Sequence, residues 1–285
     1  MTRVTPRHER THDEIWRRRA ASFGAQAAAY AEHRPDYAEA AVRWALGPVW
    51  DRDEVRVLDL GAGTGKLTGV ITRLAAQVPP GRLSVVAVEP DPAMLAELRR
   101  GLPGVRTLAG KAEDIPLPDA SVDAVLCGQA AHWFDMDLAA PQIARVLTPG
   151  GVFTGLWNMD DDREDWVAGL SRVCELSSTV TGWRADSHDW PGRGQAGRLF
   201  RPDGQAEFEH GQLRTVDSLT ATIATHSRQL VMDPADRGAL LDRVRGYLLS
   251  RPETAVGEFR VPMLTGVLRS VKISRLRRAL WTSPS

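Results

Sequence analysis

One stretch, 57-VLDLGAGTGKLT-68, constrains the fold more than any other part of this 285-residue chain. Residues 55–61 form a nearly continuous apolar run, which is typical of a strand buried inside a parallel sheet. Glycines then stand at positions 61, 63 and 65, and the apolar residues that follow recur at helical spacing. A strand that turns through glycines directly into a helix predicts the start of a β–α–β unit.

Strand and helix patterns alternate about five times between residues 55 and 158. Further strands are predicted at 83–89, at 105–110, in the second part of 116–128 after a turn, and at 152–158. Helices are predicted at 91–98 and 138–147. This alternation predicts an α/β fold with a doubly wound, mostly parallel sheet. In such folds ligands bind beyond the carboxyl ends of the strands, where the strand order reverses.

The segments on either side of this core predict helices and two more strands. Two short helical patterns within residues 23–46 separate at Arg34, because the following Pro35 disfavours helix there. Beyond residue 158 we predict helices at 164–177, 217–227 and 234–249, strands at 205–213 and 259–273, and a loop at 181–197. We expect one domain over 21–275, with cap helices at 21–50, a core at 51–158, a substrate side at 159–275, and polar tails at 1–20 and 276–285.

Composition disfavours several classes of protein. Lys and Arg together number 36, as do Asp and Glu, and this balance does not favour a nucleic-acid partner. No apolar run reaches the ~18 residues of a membrane helix. Cys127 and Cys174 fit neither a disulfide framework nor a zinc site, so we expect a cytoplasmic protein. The acidic run 160–165 and the basic run 269–278 are expected to be solvated faces.

The glycine loop fits two common phosphate-binding patterns poorly. A nucleotide phosphate loop needs glycine at position 60 and Ser or Thr at position 67, where this chain has Leu60 and Leu67. A dinucleotide loop needs a third glycine at position 66, where Lys66 stands. We expect Lys66 to point to solvent from the first helical turn.

Two carboxylates indicate another ligand for this loop. Asp59 ends the first strand, where its charge would repel a pyrophosphate and attract an ammonium group. Glu89 ends the second strand, where an acidic side chain accepts ribose hydroxyl groups. A ligand with a ribose, an amino-acid end and no phosphate is S-adenosylmethionine.

The sequence resembles the class I S-adenosylmethionine-dependent methyltransferases in four stretches that occur in that family's order. They are 57-VLDLGAGTGKLT-68, 85-VVAVEPDPAML-95, 110-GKAEDIPLPDASVDAV-125 and 145-RVLTPGGVFTGLWN-158. The segments 23-FGAQAAAYAEHRPDY-37 and 129-QAAHWF-134 look like a branch that acts on small molecules. The resemblance implies a seven-stranded sheet whose last strand is antiparallel, with the helices between strands six and seven as an insertion over the substrate.

The resemblance also implies cofactor contacts, position by position. The methionine end is expected at Asp59, Gly61, Ala62, Gly63 and Gln129, the ribose at Glu89 and Pro90, and the adenine at Ala112 and Glu113. Tyr30 and Arg34 are expected to hold the methionine carboxylate, a role that suits a guanidinium. Lys111 stands where relatives often have Asp, which leaves the partner of the adenine amino group open.

The reaction implied is a direct in-line displacement of the methyl group by a small-molecule acceptor, without a metal. His132 follows the fourth strand and is the expected base for an acceptor that keeps its proton, and a histidine that only packs is the alternative. Tyr37, Trp133 and His226 are expected in the acceptor pocket.

Three other functions stay open, and one is a nicotinamide oxidoreductase, which would bind the dinucleotide. Methyltransferases that act on the amino groups of nucleic-acid bases commonly carry Asp or Asn, two prolines and an aromatic residue after the fourth strand. This chain has 127-CGQA-130 there, which disfavours nucleic acid as the substrate. A protein that binds the cofactor without transferring its methyl group would carry the same motifs.

Overall fold

Seven strands form one sheet in the computed structural model, which describes residues 27–175, 178–185 and 190–273. They are β1 (Val55–Leu60), β2 (Leu83–Glu89), β3 (Arg106–Ala109), β4 (Val122–Gly128), β5 (Leu147–Asp160), β6 (Phe200–Arg214) and β7 (Phe259–Lys272). Their order across the sheet is β3-β2-β1-β4-β5-β7-β6. Strand β7 is antiparallel to both of its neighbours, while β1 to β5 pair in parallel. The predicted doubly wound sheet with an antiparallel last strand is confirmed.

Helices connect these strands in the predicted order. The α-helices of the described residues are α1 (Ala27–His33), α2 (Glu39–Ala45), α3 (Lys66–Ala75), α4 (Pro92–Gly101), α5 (Met136–Val146), α6 (Asp165–Cys174), α7 (Val180–Ala185), α8 (Gln195–Leu199), α9 (Val216–Ala224), α10 (Ser227–Leu230) and α11 (Pro234–Leu249). Short 3-10 helices span Gly47–Val49 and Ala131–Trp133. The strand order reverses between β1 and β4, so their carboxyl ends form the predicted ligand crevice.

Strand β1 is buried on both faces, which explains its nearly continuous apolar sequence. Val57 packs with Val42 of α2 and Ile71 of α3 on one side of the sheet. The next residue, Leu58, packs with Ile143 of α5 on the other side. Because successive side chains of a strand alternate between faces, one apolar strand joins both layers of helices.

A separate apolar cluster lies in the part of the chain beyond residue 158. It joins α6, α9, α11 and the start of β7 through buried residues that include Trp166, Leu170, Ile223, Val244 and Val261. Helices α9 to α11 come between β6 and β7 in the chain, so the predicted insertion is confirmed. The insertion thus packs on β7 and on the helix that follows β5.

The first helix is held by the end of β6 and by this insertion. The predicted break at Arg34 is confirmed, because α1 ends at His33 and α2 begins at Glu39. The carbonyl of His33 accepts hydrogen bonds from Arg214 Nη2 at 2.6 Å and from Thr222 Oγ1 at 3.1 Å. Residues 27–38 are therefore fixed over the carboxyl ends of the strands by contacts distant in sequence.

The predicted loop at 181–197 is wrong in part, because α7 and α8 occupy much of it. Val180 is fully buried, and the ring of Trp183 lies 5.3 Å from that of Trp157 on β5. Ala196 of α8 is also fully buried. Tertiary packing of a few apolar residues stabilises these short helices, whose polar sequence alone favours a loop.

The predicted tails at 1–20 and 276–285 lie outside the described residues. The predicted strands at 152–158 and 205–213 are longer than expected, since β5 begins at Leu147 and β6 spans Phe200–Arg214. No helix in the described part of the chain has the length and apolar character to cross a membrane.

Candidate functional site

The glycine loop curls over the end of β2. The backbone amides of Gly61 and Ala62 both donate to the carbonyl of Val88, at 2.9 and 3.1 Å. Gly61 has φ +71°, and a Cβ at this position would lie 2.8 Å from the Cβ of Ala130. Only glycine fits so close to the chain after β4 in this left-handed conformation, which explains its place in the motif.

Asp59 carries a hydrogen-bonding oxygen that has no partner. The carboxylate is completely buried, and its Oδ2 accepts a hydrogen bond from Thr68 Oγ1 at 2.5 Å. Oδ1 has no hydrogen-bond partner among the described residues. Burial raises the pKa of Asp59 to about 7, against the opposing effect of the Thr68 hydrogen bond. A cationic hydrogen-bond donor in the crevice would satisfy Oδ1 and stabilise the ionised form.

Glu89 is held by backbone amides at the end of β2. Its Oε2 accepts from the Gly63 amide at 2.8 Å and its Oε1 from the Asp91 amide at 2.9 Å. Burial raises the pKa of Glu89, although both hydrogen bonds act in the opposite direction. Each oxygen keeps a lone pair, so this oriented carboxylate can accept two further hydroxyl groups.

A cavity of about 300 Å³ joins these groups. Most of the predicted cofactor residues line it: Tyr30, Asp59, Gly61, Ala62, Gly63, Glu89, Pro90, Ala112, Glu113 and Gln129. Tyr37 and Trp133, predicted for the acceptor pocket, line it as well. A Cβ on Gly63 would meet no atom within 4 Å, so the loop leaves open space there.

Part of the lining of this cavity suits a flat apolar ring. Met94, Ala112 and Phe134 line it with apolar side chains. Glu113 is fixed there because its Oε1 accepts a hydrogen bond from the backbone amide of Asp135 at 2.9 Å. Lys111 also lines the cavity. It stands at the position for which the sequence did not identify a partner of the adenine amino group.

Gln129 follows β4 in a strained conformation. Its φ is +53°, a region that a residue with a side chain enters at a cost. Its amide donates to the carbonyl of Leu156 at 2.8 Å, and its Nε2 donates to the carbonyl of Asn158 at 3.0 Å. These two bonds to β5 hold the side chain at the wall of the cavity, and such outliers concentrate at functional sites.

Lys66 does not point to solvent, so that prediction is wrong. It lines the cavity, its side chain is 24% exposed, and its Nζ lies 3.6 Å from Oδ1 of Asp36. Burial lowers the pKa of Lys66, while Asp36 acts in the opposite direction. The pair links the start of α3 to the segment that covers the crevice.

A second cavity, of about 220 Å³, adjoins the first. Three residues line both cavities: Tyr30, Gln129 and Trp133. Arg34, His132 and His226 line the second cavity and not the first. The structure therefore groups His132, Trp133 and His226 as predicted, whereas Tyr37 lies on the first cavity.

Arg34, which was expected to hold the methionine carboxylate, lines the second cavity and not the first. Its Nη2 donates to the carbonyl of Thr225 at 3.2 Å, and its guanidinium carbon lies 4.9 Å from the ring centre of Tyr30. The Nε of Arg34 is buried and has no partner among the described residues. Its free hydrogen-bonding capacity is thus on the wall of the second cavity.

Both histidines of the second cavity are neutral near pH 7. Burial lowers the pKa of His226 well below 6.5, and the charge of Arg34 adds to this effect. His132 keeps one side open to water, and the protein around its ring lowers its pKa as well. Because the ordinary value is already 6.5, the His132 ring is mostly unprotonated at neutral pH even without that shift.

Two polar residues of the second cavity were not expected there from the sequence. Gln229 is 0% exposed, and neither atom of its side-chain amide has a hydrogen-bond partner among the described residues. Asp160 belongs to the run that was interpreted as a solvated face, yet burial raises its pKa to about 6, against the effect of Arg34. That interpretation is wrong for Asp161 too, which is buried and paired with Arg163.

The sequence contained an indication that one of these two residues, Asp160, lies at the site. Asp160 is the last residue of β5, and the carboxyl ends of strands are where this fold places ligands. Gln229 lies in α10, a helix of four residues with no periodic pattern to indicate its direction. Its burial depends on the packing of the insertion.

Comparisons with known proteins agree with this geometry. Residues 58–154 match the profile of a family described as a methyltransferase domain. An uncharacterized methyltransferase of Mycobacterium tuberculosis is 40% identical over 234 residues, which cover 82% of this chain and 88% of the relative. The chain is a class I S-adenosylmethionine-dependent methyltransferase.

Two more distant similarities accompany this match. An uncharacterized methyltransferase-like protein of Schizosaccharomyces pombe is 38% identical to the methyltransferase over 152 residues, 53% of this chain and 57% of the relative. A solved structure from Anaeromyxobacter dehalogenans, described as a candidate type II methyltransferase, is similar with a TM-score of 0.54. It is 24% identical and the similarity covers 84% of this chain and 97% of that one, so it concerns the fold alone.

The cofactor of the methyltransferase is S-adenosylmethionine, and the residues of the first cavity fit it. The unpartnered Oδ1 of Asp59 suits its ammonium group, and the oriented carboxylate of Glu89 suits its ribose hydroxyls. The open space beside Gly63 lets a ligand approach the backbone closely.

Proposed function

We propose that the methyltransferase transfers the methyl group of S-adenosylmethionine to a small-molecule acceptor bound in the second cavity. The observation that carries this proposal is the wall that the two cavities share, formed by Tyr30, Gln129 and Trp133. A donor in the first cavity and an acceptor in the second would meet at this wall.

Methyl transfer from a sulfonium needs alignment more than chemical activation by the protein. When bound, S-adenosylmethionine supplies a methyl group that is already activated for displacement. The chain's own residues then fix the two reactants in line and exclude water, and such positioning supplies ~7–11 kcal/mol of a barrier. Asp59 and Glu89 orient the donor, while α1 covers the crevice from above.

The shared wall also suits the charge of the donor. Tyr30 and Trp133 present aromatic rings to both cavities. An aromatic face stabilises a nearby cation by ~0.5–2 kcal/mol, so these rings favour a bound sulfonium at the wall. Gln129, held by Asn158, completes the wall with a polar side chain.

His132 is the proposed base for an acceptor that holds its proton at neutral pH. It lines the second cavity next to Trp133, and its ring is neutral near pH 7. A neutral imidazole can take the proton of the attacking atom as the methyl group transfers. No other step needs a proton to move.

The dimensions of the second cavity favour a metabolite over a nucleic acid. Its volume of about 220 Å³ lies below the ~300–1,000 Å³ of sites for drug-sized ligands. Residues of α1, α9 and α10 surround it, and the His33 carbonyl ties α1 to β6 through Arg214 and to α9 through Thr222. A base attached to a polymer would have to displace these helices.

The experiment is incubation of the purified enzyme with methyl-labelled S-adenosylmethionine and a bacterial metabolite extract. We expect a labelled small molecule that is soluble in acid and resists nuclease and protease. The matched control is Asp59→Asn, which should lose most of the label. Label in nucleic acid or protein alone, or no label in any fraction, would contradict the proposal.

A further inference from the structure

The second cavity has a polar end, which we call the Arg34 pole and define as Arg34, Asp160, His226 and Gln229. Arg34 donates to the carbonyl of Thr225, the residue before His226, which places the guanidinium beside the start of α10. The charge of Arg34 acts on both His226 and Asp160. The Arg34 pole borders the wall shared with the cofactor, because the guanidinium carbon of Arg34 lies 4.9 Å from the ring centre of Tyr30.

Gln229 shows that this pole is built for a ligand. A buried amide without hydrogen bonds costs free energy, and native proteins rarely leave one so. Gln229 is completely buried, lines the cavity, and has both Nε2 and Oε1 unpartnered among the described residues. Nε–H of Arg34 is a further unused donor on the same cavity. A hydrogen-bond acceptor on a bound molecule would satisfy both donors together, Nε–H of Arg34 and the Nε2 amino group of Gln229.

We infer, on the basis of the proposed function, that the acceptor carries a carboxylate that Arg34 and Gln229 bind at the Arg34 pole. Arg34 Nε–H and the amino group of the Gln229 amide are donors, and a carboxylate oxygen is the acceptor that a guanidinium prefers. Once the carboxylate is held there, the rest of the molecule extends toward the shared wall. The atom that receives the methyl group then lies near Gln129 and His132.

The charges of the cavity favour a carboxylate over a phosphate. Arg228 is paired with Glu175, and Arg214 donates to the carbonyl of His33 and to Gln212. Arg34 makes no ion pair among the described residues, and the carboxyl of Asp160 faces the same cavity. The three arginines of the cavity face two carboxylates, Asp160 and Glu175, which leaves one positive charge. A single negative charge balances it, whereas a dianion would leave charge uncompensated.

The variant that tests the contact is Arg34→Gln, with Arg237→Gln as a matched control. Arg237 also has a buried, unpartnered Nε and donates its Nη2 to a backbone carbonyl, that of Ala224, but it lies outside both cavities. We expect Arg34→Gln to raise the KM for the acceptor about tenfold or more, since a charged hydrogen bond is lost. Arg34→Lys should recover part of this loss, and Arg237→Gln should leave KM within about twofold.

Binding of S-adenosylhomocysteine, measured by calorimetry, separates the two roles considered for Arg34. Unchanged affinity in Arg34→Gln, together with the raised KM, supports an acceptor contact. A matching loss of affinity for S-adenosylhomocysteine would overturn it, because Arg34 would then hold the methionine carboxylate. Circular dichroism of each variant checks independently that it is folded.

The class of acceptor is tested by fractionating the metabolite extract on an anion exchanger at neutral pH before the labelling reaction. Label should arise from compounds that the exchanger retains. It should disappear when their carboxyl groups are first converted to amides with carbodiimide and methylamine, and survive phosphatase treatment. Label only from unretained compounds, or label lost to phosphatase, would overturn the carboxylate. Absence of label from every fraction would instead contradict the proposed function.

Discussion

The hydroxyl of Thr68 donates to Oδ2 of Asp59 over 2.5 Å, while Oδ1 of the same carboxylate has no partner among the described residues. Thr68 is also fully buried, on the first turns of α3. One helix residue thus orients the carboxylate at the end of β1, and the remaining oxygen stays available for the cofactor. The buried carboxylate therefore favours binding of a cation, but it lowers the stability of the ligand-free protein.

Replacing Asp59 should therefore raise stability and remove binding together. The pKa of Asp59 is raised from 3.8 to about 7, so ionisation disfavours the folded state, and the free energy of unfolding falls as pH rises through that range. Asp59→Asn should raise Tm at about pH 8, by roughly 2–4 °C for each kcal/mol gained. Its affinity for S-adenosylhomocysteine should fall. A lower Tm with intact binding would contradict this account.

Asp123 is expected to behave in the opposite way. It pairs with Arg52 and Arg56, and the hydrogen bonds of Arg56 lower its pKa despite desolvation. A lowered pKa stabilises the fold above the ordinary value of 3.8 and loses that contribution as pH falls below it. Asp123→Asn should lower Tm at about pH 8 and leave affinity for S-adenosylhomocysteine intact. An equal or higher Tm would show that the pair contributes nothing to stability.

Glu89→Gln should weaken cofactor binding by ~1–3 kcal/mol, because a charged acceptor of ribose hydroxyls becomes neutral. Calorimetry with S-adenosylhomocysteine measures this loss. Glu97→Gln is the control, since Glu97 pairs with Arg100 on α4 and lies outside both cavities. Equal affinity in wild type and Glu89→Gln would place the ribose elsewhere.

Gln129→Gly tests whether the Gln129 side chain contributes to catalysis, because glycine keeps this backbone conformation without strain. Glycine adopts φ +53° without strain, so Tm should change little although the hydrogen bond from Nε2 to Asn158 is lost. We expect kcat to fall about tenfold, since one side chain of the shared wall disappears. Ala120→Gly is the control: Ala120 has φ +49°, is exposed and lies outside both cavities. Equal kcat in the two variants would show that the Gln129 side chain has no role in methyl transfer.

His132→Asn tests the proposed base. We expect kcat to fall by about 10²-fold or more if the acceptor holds a proton, with affinity for S-adenosylhomocysteine unchanged. The wild-type kcat should show no His132 titration above pH 7, because its pKa lies below 6.5. Unchanged kcat in the variant would leave His132 as a packing residue, and the acceptor atom as one that attacks without a base.

The cofactor half of the site was predictable from the sequence because it depends on local pattern. Asp59, Gly61 and Glu89 stand at strand ends, where spacing along the chain fixes position in the crevice. Lys66 was misjudged because Asp36, its partner, is 30 residues away in sequence and meets it only through the fold. Asp160 and Gln229 face the second cavity for the same reason, since the insertion must pack before either side chain is buried.

The insertion between β6 and β7 has a further consequence. Arg214 and Phe259, at its two ends, are opposite each other in the β6–β7 pair, so the sheet fixes where the segment leaves and returns. His226 and Gln229 lie within it, outside residues 58–154 that match the methyltransferase profile. Because the sheet fixes both ends, we expect that replacing residues 215–258 would change the acceptor side of the site and leave the lining of the first cavity intact.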